Sequence, residues 1–234
     1  MLENLDVVIL CGGLGKRLRS IDPDTPKVMV QFEERPFLDI VMEKLYEQGF
    51  QRFVLCTGYK AQWIEDYYRK NDRDFVVDFS REEEPLGTGG AVKNAQPIVE
   101  SDPFFVLNGD CYCEVDFKKF AEFHRSKKAA ASMVAARMED SKDYGSLTMD
   151  DSDRILAFEE KKDKGAAFIN AGRYCFNQDV FEMMPEEGKF SLEYDVFPSL
   201  IEDGLYGFKS KGEFFDIGTP ERYEKAMEFF RNGK

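Results

Sequence analysis

At 234 residues with 43% hydrophobic content and abundant Phe, the chain is long enough to bury a sizeable core. A formal net charge of −13 argues against a nucleic-acid partner, which needs a basic face; it leaves room for a small anionic substrate, because screening over roughly 8 Å hands the local potential to nearby Lys and Arg. No basic cleavable leader and no run of about 18 apolar residues is present, which predicts a soluble cytoplasmic protein without a membrane partner.

The first element in chain order is LDVVILC, residues 5–11, a continuous β-branched-rich apolar run that fits a central strand covered on both faces. Gly12, Gly13 and Gly15 close it. Residues 36–48 (PFLDIVMEKLYEQ) carry apolar side chains near helical spacing, with Pro36 in a plausible first turn and Gly49 as a stop. Strand-like runs recur at 53–56, 75–79 and 104–110, and helical patterns at 63–69 and 116–125. Strands alternating with helices at this interval predict a largely parallel sheet with helices on both faces, with ligands beyond the carboxyl ends of the strands. His124, on the 116–125 helix, reads as an exposed or half-buried surface residue rather than a catalyst.

After about residue 130 the pieces shorten to ASMVAARM, RILAF and FINAGRYCF, with the polar turn EEKKDKG between two of them, so antiparallel pairing is expected there. A last helix is predicted over 220–231. No linker separates the halves, so one domain over 1–234 is expected, with a nucleotide-binding half to about 130 and a sugar-binding half over 131–234. The five cysteines, an odd number, read as reduced core thiols; Cys111 and Cys113 form a C-x-C without the second pair a structural zinc site needs.

Behind the first strand, absent β-carbons at Gly12, Gly13 and Gly15 let backbone N–H groups approach an anion, and Arg17 adds a forked cationic donor. The spacing fits neither G-x-G-x-x-G, because Leu18 stands at the last glycine, nor a P-loop, because Gly15-Lys16 leads into Arg17. A tight strand-to-helix turn is the plainer reading of these glycines alone.

The pattern G-G-x-G-x-R-L with Lys27 behind Pro26, continued by EPLGTGGA (84–91), NGD (108–110), Phe158-Glu159-Glu160-Lys161, NAG (170–172), SLE (191–193) and DIGTPERY (216–223), resembles the sugar-1-phosphate nucleotidyltransferases. These enzymes make an NDP-sugar and pyrophosphate from an NTP and a sugar 1-phosphate. The resemblance covers nearly the whole chain and implies an α/β, Rossmann-like three-layer αβα fold with a mixed, mostly parallel central sheet and a smaller antiparallel sugar-binding portion.

It also implies roles. Leu10, Gly12, Gly13, Glu82, Glu84, Gly87, Thr88 and Asp110 would bind the nucleotide, and Arg17, Lys27 and Lys161 would neutralise the reacting phosphates. Asp110 and Asp216 would hold one Mg²⁺, which takes only one or two protein carboxylates and fills its other positions with water and phosphate oxygens. Gly145, Glu160, Lys161, Asn170 and Glu193 would meet the sugar phosphate. Each has a plainer alternative: surface charge for Lys27, a helix cap for Asp216, a turn residue for Asp110, a solvated turn for Glu160 and Lys161. Lys162 stands where the family often has proline.

Base preference follows from donors and acceptors. Guanine presents two adjacent donors that one carboxylate can accept, whereas uracil or thymine suits an amide. Thymidylyl members carry a glutamine three residues before the proline of the glycine-rich stretch; here that position is Glu82, which favours GTP, with Glu84 as the alternative reader and an ordinary acidic turn as the plain one. In length the chain looks most like the D-glycero-α-D-manno-heptose 1-phosphate guanylyltransferases, with mannose 1-phosphate next. A uridylyl- or thymidylyltransferase of a hexose 1-phosphate, a non-catalytic nucleotide-sugar sensor and a dinucleotide-binding oxidoreductase are the competing readings. The aromatic helices leave room for a homodimer.

Overall fold

The structure is a computed structural model that describes residues 2–13, 15, 18, 22, 24–139, 141, 144–159 and 165–231. In chain order its elements are β1 (Asp6–Leu10), β2 (Gln31–Phe32), β3 (Arg35–Pro36), α1 (Phe37–Glu47), β4 (Arg52–Thr57), α2 (Ala61–Lys70), β5 (Val76–Arg81), α3 (Gly87–Asn94), β6 (Phe104–Asn108), β7 (Cys111–Cys113) and α4 (Phe117–Lys127). There follow β8 (Ala131–Met138), β9 (Ser146–Met149), β10 (Ile155–Glu159), β11 (Ala167–Phe176), α5 (Phe197–Asp203), β12 (Leu205–Ser210), β13 (Phe214–Asp216) and α6 (Pro220–Arg231).

Nine strands form one sheet, ordered β10-β9-β11-β6-β1-β4-β5, with β8 against β11 and β12 against β8. β6, β1, β4 and β5 run parallel. Their alternation explains the continuous apolar runs in the sequence. Val7 and Ile9 of β1, with Phe105 and Leu107 of β6, pack into one buried cluster with Phe37, Phe50, Phe117 and Phe120. Val8, Phe104 and Val106 face a second cluster with Val92, Phe176, Phe181 and Phe197. Both faces of the sheet are covered at β1 and β6, so the residues between Asp6 and Cys11 and between Pro103 and Asn108 are all apolar, and each buried Phe contributes about 1.5–3 kcal/mol.

β11 joins the two halves. Its Arg173–Phe176 end pairs antiparallel with β6, while its other edge follows β8, and Ile169 meets Ser146 of β9. A bulge between Asn170 and Tyr174 separates the two stretches. Gly172 sits there at φ +65°, and a Cβ on it would stand 2.6 Å from Asn108 Nδ2, so glycine is needed both for the backbone and for the approach of β6.

The expected antiparallel pairing is present among β8, β9, β10 and β11; β12 joins this portion parallel to β8, because the chain leaving β11 passes through α5 and returns reversed onto the far side of β8. One expectation is corrected. His124 is not a surface residue. It is 1% exposed, at the helical spacing that buries Phe117, Phe120 and Ala121. Asn177 donates Nδ2 to Ala129 O, so its Oδ1 accepts from His124 Nε2 at 3.0 Å, which leaves Nδ1 to accept from the Ser132 hydroxyl at 3.0 Å. Burial lowers the pKa of this imidazole, only partly offset by Asn177. All five cysteines are buried and reduced.

Candidate active site

The parallel strands end on one cavity of about 290 Å³. Leu10 at the end of β1 with Cys11, Gly12 and Gly13 beyond it, Glu82 after β5, Asn108 at the end of β6 with Asp110 beyond it, and Gly87, Thr88 and Ala91 of α3 line it with Lys27, Val28, Pro85 and Lys189. This is the carboxyl edge of the sheet, where backbone N–H groups and helix starts converge and an anion is favoured.

The glycines beside β1 differ in purpose. Gly15 lies at φ +55°, and a Cβ there would stand 2.8 Å from Lys27 Cβ, so this glycine lets the turn cross Lys27. A Cβ on Gly12 would stand 2.1 Å from Glu82 Oε1, and one on Gly58, after β4, 2.3 Å from the same atom. Gly12 and Gly58 therefore form the bed of the Glu82 carboxylate. Around Gly13 no described atom lies within 4 Å of such a Cβ and its φ is not left-handed. Neither packing nor strain calls for glycine there, which fits a site where a ligand approaches the backbone.

The Glu82 carboxylate accepts from Leu86 N–H at 2.9 Å through Oε2. Burial raises its pKa, and the Leu86 bond only partly offsets that. Glu84 is exposed and does not line the cavity, so of the two carboxylates proposed to read the base only Glu82 reaches it.

Three glycines of EPLGTGGA serve packing. A Cβ at Gly87 would stand 2.4 Å from Phe190 O, at Gly89 2.4 Å from the Phe190 ring, and at Gly90 2.8 Å from Leu86 Cβ. The Gly89 and Gly90 N–H groups donate to Phe190 O. Thr88 donates its hydroxyl to Glu193 Oε2 at 2.8 Å and accepts from Leu192 N–H at 2.9 Å, and Ser191 Oγ donates to the same Glu193 oxygen. A helix start expected to touch the nucleotide is thus locked to the segment expected to touch the sugar.

Lys27 Nζ donates to Asp110 Oδ2 at 2.6 Å. Asp110 does not close a strand as expected; it lies in the turn between β6 and β7. The β7–β13 ribbon carries Asp216 opposite Cys111, and Ile217 N–H donates to Asp110 O at 3.0 Å, so the segments bearing residues 110 and 216 are neighbours. Asp216 accepts from Arg222 Nη1 at 3.0 Å, from Gly218 N–H at 2.8 Å and from the Tyr144 hydroxyl. Both carboxylates raise the pKa of the Cys111 thiol, after burial as the main cause and against Arg173. Two hard oxygen donors, each now matched by a side-chain cation, fit Mg²⁺, whose remaining positions are filled by water and phosphate. Among the described residues no cluster of three or more metal-ligating side chains occurs.

On the second half, Asn170 donates to the Tyr174 hydroxyl at 2.9 Å and accepts from Gly172 N–H at 2.9 Å. Gly145 is exposed beside Tyr144. Arg17, Glu160 and Lys161 lie outside the described residues. Neither Asn170, Gly145, Glu193 nor Asp216 lines the cavity. Sequence reasoning missed Lys189, Gly58 and Asn108, the last with a buried Oδ1 that has no hydrogen-bond partner among the described residues. Asn108 stands in the NGD motif and was open to notice; Lys189, in an acidic turn remote in sequence, carried no signal.

The chain belongs to the nucleotidyl transferase family, whose profile matches residues 6–233. It is 38% identical over 96% of its length, and 97% of the relative's, to a D-glycero-α-D-manno-heptose 1-phosphate guanylyltransferase of Aneurinibacillus thermoaerophilus. It is 34% identical to a mannose-1-phosphate guanylyltransferase of Mycobacterium tuberculosis, covering 96% of this chain and 64% of that one. The crystal structure of HddC from Yersinia pseudotuberculosis superposes with a TM-score of 0.87 at 43% identity, covering 97% of this chain and 99% of that one, and the same protein has been solved with GMP-PN. Among the described residues no helix is long and apolar enough to cross a membrane.

Proposed function

We propose that this protein is a sugar-1-phosphate guanylyltransferase that makes a GDP-sugar and pyrophosphate from GTP and D-glycero-α-D-manno-heptose 1-phosphate, with mannose 1-phosphate the next sugar in preference. The observation that carries this is Glu82, bedded on Gly12 and Gly58 at one wall of a cavity whose other walls hold Gly13, Lys27 and Asp110. That cavity has a two-oxygen acceptor for guanine and a cation beside open backbone for phosphate. The relatives named for heptose and mannose guanylylation support the same reading. The sheet common to both halves supports treating them as one domain.

The nucleophile needs no general base, since a sugar phosphate with a second pKa of about 6 is already close to doubly charged at neutral pH. What remains is alignment and charge neutralisation. Lys27, with Arg17, holds the triphosphate against Gly12 and Gly13; Lys161 holds the sugar phosphate for in-line attack on the α-phosphorus. Glu160, Asn170, Glu193 and the Gly145 backbone take the sugar. Asp110 and Asp216 would hold Mg²⁺, which supplies neutralisation of the phosphate oxygens when bound. The Thr88–Glu193 bond ties the two halves so that nucleotide and sugar are held in fixed relation.

Pyrophosphate release from a panel of NTPs crossed with sugar 1-phosphates tests the proposal. GTP with the heptose phosphate is expected to give the highest kcat/KM; equal use of UTP with a hexose phosphate favours the runner-up, and release from no pair favours the sensor.

A further inference from the structure

Arg173 is 2% exposed, among the largest fully buried side chains of the molecule. It occupies a β11 position whose neighbours Ala171, Tyr174, Cys175 and Phe176 are all buried and apolar or aromatic. A guanidinium there is costly to desolvate, and removing it from water is offset only by well-placed acceptors. Its acceptors are specific. Nη1 donates to Asn108 O at 3.0 Å, to Gly172 O at 3.0 Å and to Cys111 Sγ at 3.2 Å, and Nη2 donates to Cys111 O. Among the described residues no hydrogen bond or ion pair joins Arg173 to a carboxylate.

Asn108 and Cys111 are the two ends of the turn that carries Asp110. One rigid fork therefore grips both ends. The opposite side is fixed as well: Gly109 N–H donates to Leu10 O at 3.0 Å, and a Cβ on Gly109 would stand 2.8 Å from that oxygen. The Asp110 turn is held between the end of β1 and the Arg173 guanidinium, and Ile217 adds its bond to Asp110 O from β13.

We propose that Arg173 is a positioning residue whose buried guanidinium spans the Asn108–Cys111 turn and sets the Asp110 carboxylate where a divalent cation is held. This rests on the reading of Asp110 as a metal carboxylate. An apolar side chain at this position fills the same core space and leaves three carbonyls and the turn without their clamp. The clamp touches no phosphate itself and reaches the nucleotide cavity only through the turn, so GTP binding without metal depends on it less than cation binding does.

The test uses Mn²⁺ as probe, its binding to the full chain followed by the loss of the free-ion electron paramagnetic resonance signal. Arg173→Met, Arg173→Lys and Asp110→Asn are compared with wild type, and affinities are counted per folded molecule. Arg173→Met is expected to weaken Mn²⁺ binding about 10- to 100-fold, as loss of a group supporting a metal ligand does. Arg173→Lys, which keeps the charge but reaches one end of the turn, is expected to fall between Met and wild type. Metal-free binding of a fluorescent GTP analogue is expected to weaken by less than Mn²⁺ binding in both, whereas a merely structural lesion weakens both ligands alike. Should Arg173→Met fail to fold, Arg173→Lys alone decides. Wild-type Mn²⁺ affinity in a folded Arg173 variant, with Asp110→Asn weakened, overturns this inference only. Wild-type affinity in Asp110→Asn overturns the metal reading and the inference together.

Discussion

Glu82→Gln is the sharpest perturbation of base selectivity. In the wild type Oε2 is held by Leu86 N–H at 2.9 Å, and among the described residues no hydrogen bond reaches Oε1, which lies over Gly12 and Gly58. In the proposed function Oε1 and the remaining lone pair of Oε2 would accept the two adjacent donors of guanine. In the amide variant the carbonyl keeps Leu86 and the NH₂ turns toward those donors, so one charge-assisted bond becomes a donor–donor contact. Such a bond is worth about 1.5–3 kcal/mol, or roughly 10- to 150-fold in kcat/KM for GTP. UTP, with its mixed donor and acceptor edge, gains relative to GTP. The assay is pyrophosphate release under kcat/KM conditions with each nucleotide at fixed sugar phosphate. Protonation gives a second readout: burial holds the Glu82 carboxyl above the ordinary glutamate value, so as pH falls the wild type loses GTP affinity earlier than an exposed glutamate would, and Glu82→Gln lacks that acid limb. A GTP-to-UTP ratio unchanged in Glu82→Gln refutes the reasoning.

Lys27→Met removes the cation 2.6 Å from Asp110; kcat/KM is expected to fall about 10²–10³-fold, the scale for losing one preorganised charge stabiliser, with only a small fall in melting temperature because the Asp110 carboxylate left behind is 40% exposed and stays solvated. Gly58→Ala drives a Cβ to 2.3 Å from Glu82 Oε1 and is expected to raise KM for GTP about tenfold, near 1.4 kcal/mol, at nearly constant kcat, measured with the same assay. His124→Leu tests a structural role. Its folded pKa is depressed by burial, so as pH drops below the unfolded value of about 6.5 the unfolded chain takes up a proton that the folded one does not, and wild-type stability declines. Urea unfolding at pH 7.5 and 5.5 should show that decline in wild type and not in His124→Leu, whose pyrophosphate release keeps its pH profile.

The parallel half was legible because burial on both faces forces continuous apolar runs, and the helix over 36–48 was bracketed by Pro36 and Gly49, the latter at φ +107°. The parallel approach of β12 to β8 was not legible, since six residues with alternating burial serve either direction. α3 escaped notice for another reason. Gly-Thr-Gly-Gly has poor helix propensity, and the helix exists because Phe190 packs where side chains would otherwise stand. The burial of His124 was readable, because it falls seven residues after Phe117 on the same face. Arg173 was hidden by being a charge inside a strand pattern, where its acceptors on Asn108 and Cys111, distant in sequence, account for it. The pairing of residues 110 and 216 depends on a three-residue ribbon too short to carry any periodicity.

The proposed chemistry needs two carboxylates, Asp110 and Asp216, to serve one divalent cation. Mn²⁺ titration of the GTP-bound protein, with Asp110→Asn and Asp216→Asn as comparators, measures this directly. One ion per chain is predicted, with each substitution weakening it at least about tenfold, as expected of a lost ligand. Wild-type affinity in Asp216→Asn contradicts the account, for it would leave that carboxylate serving its bonds to Arg222, Tyr144 and Gly218 N–H and no metal.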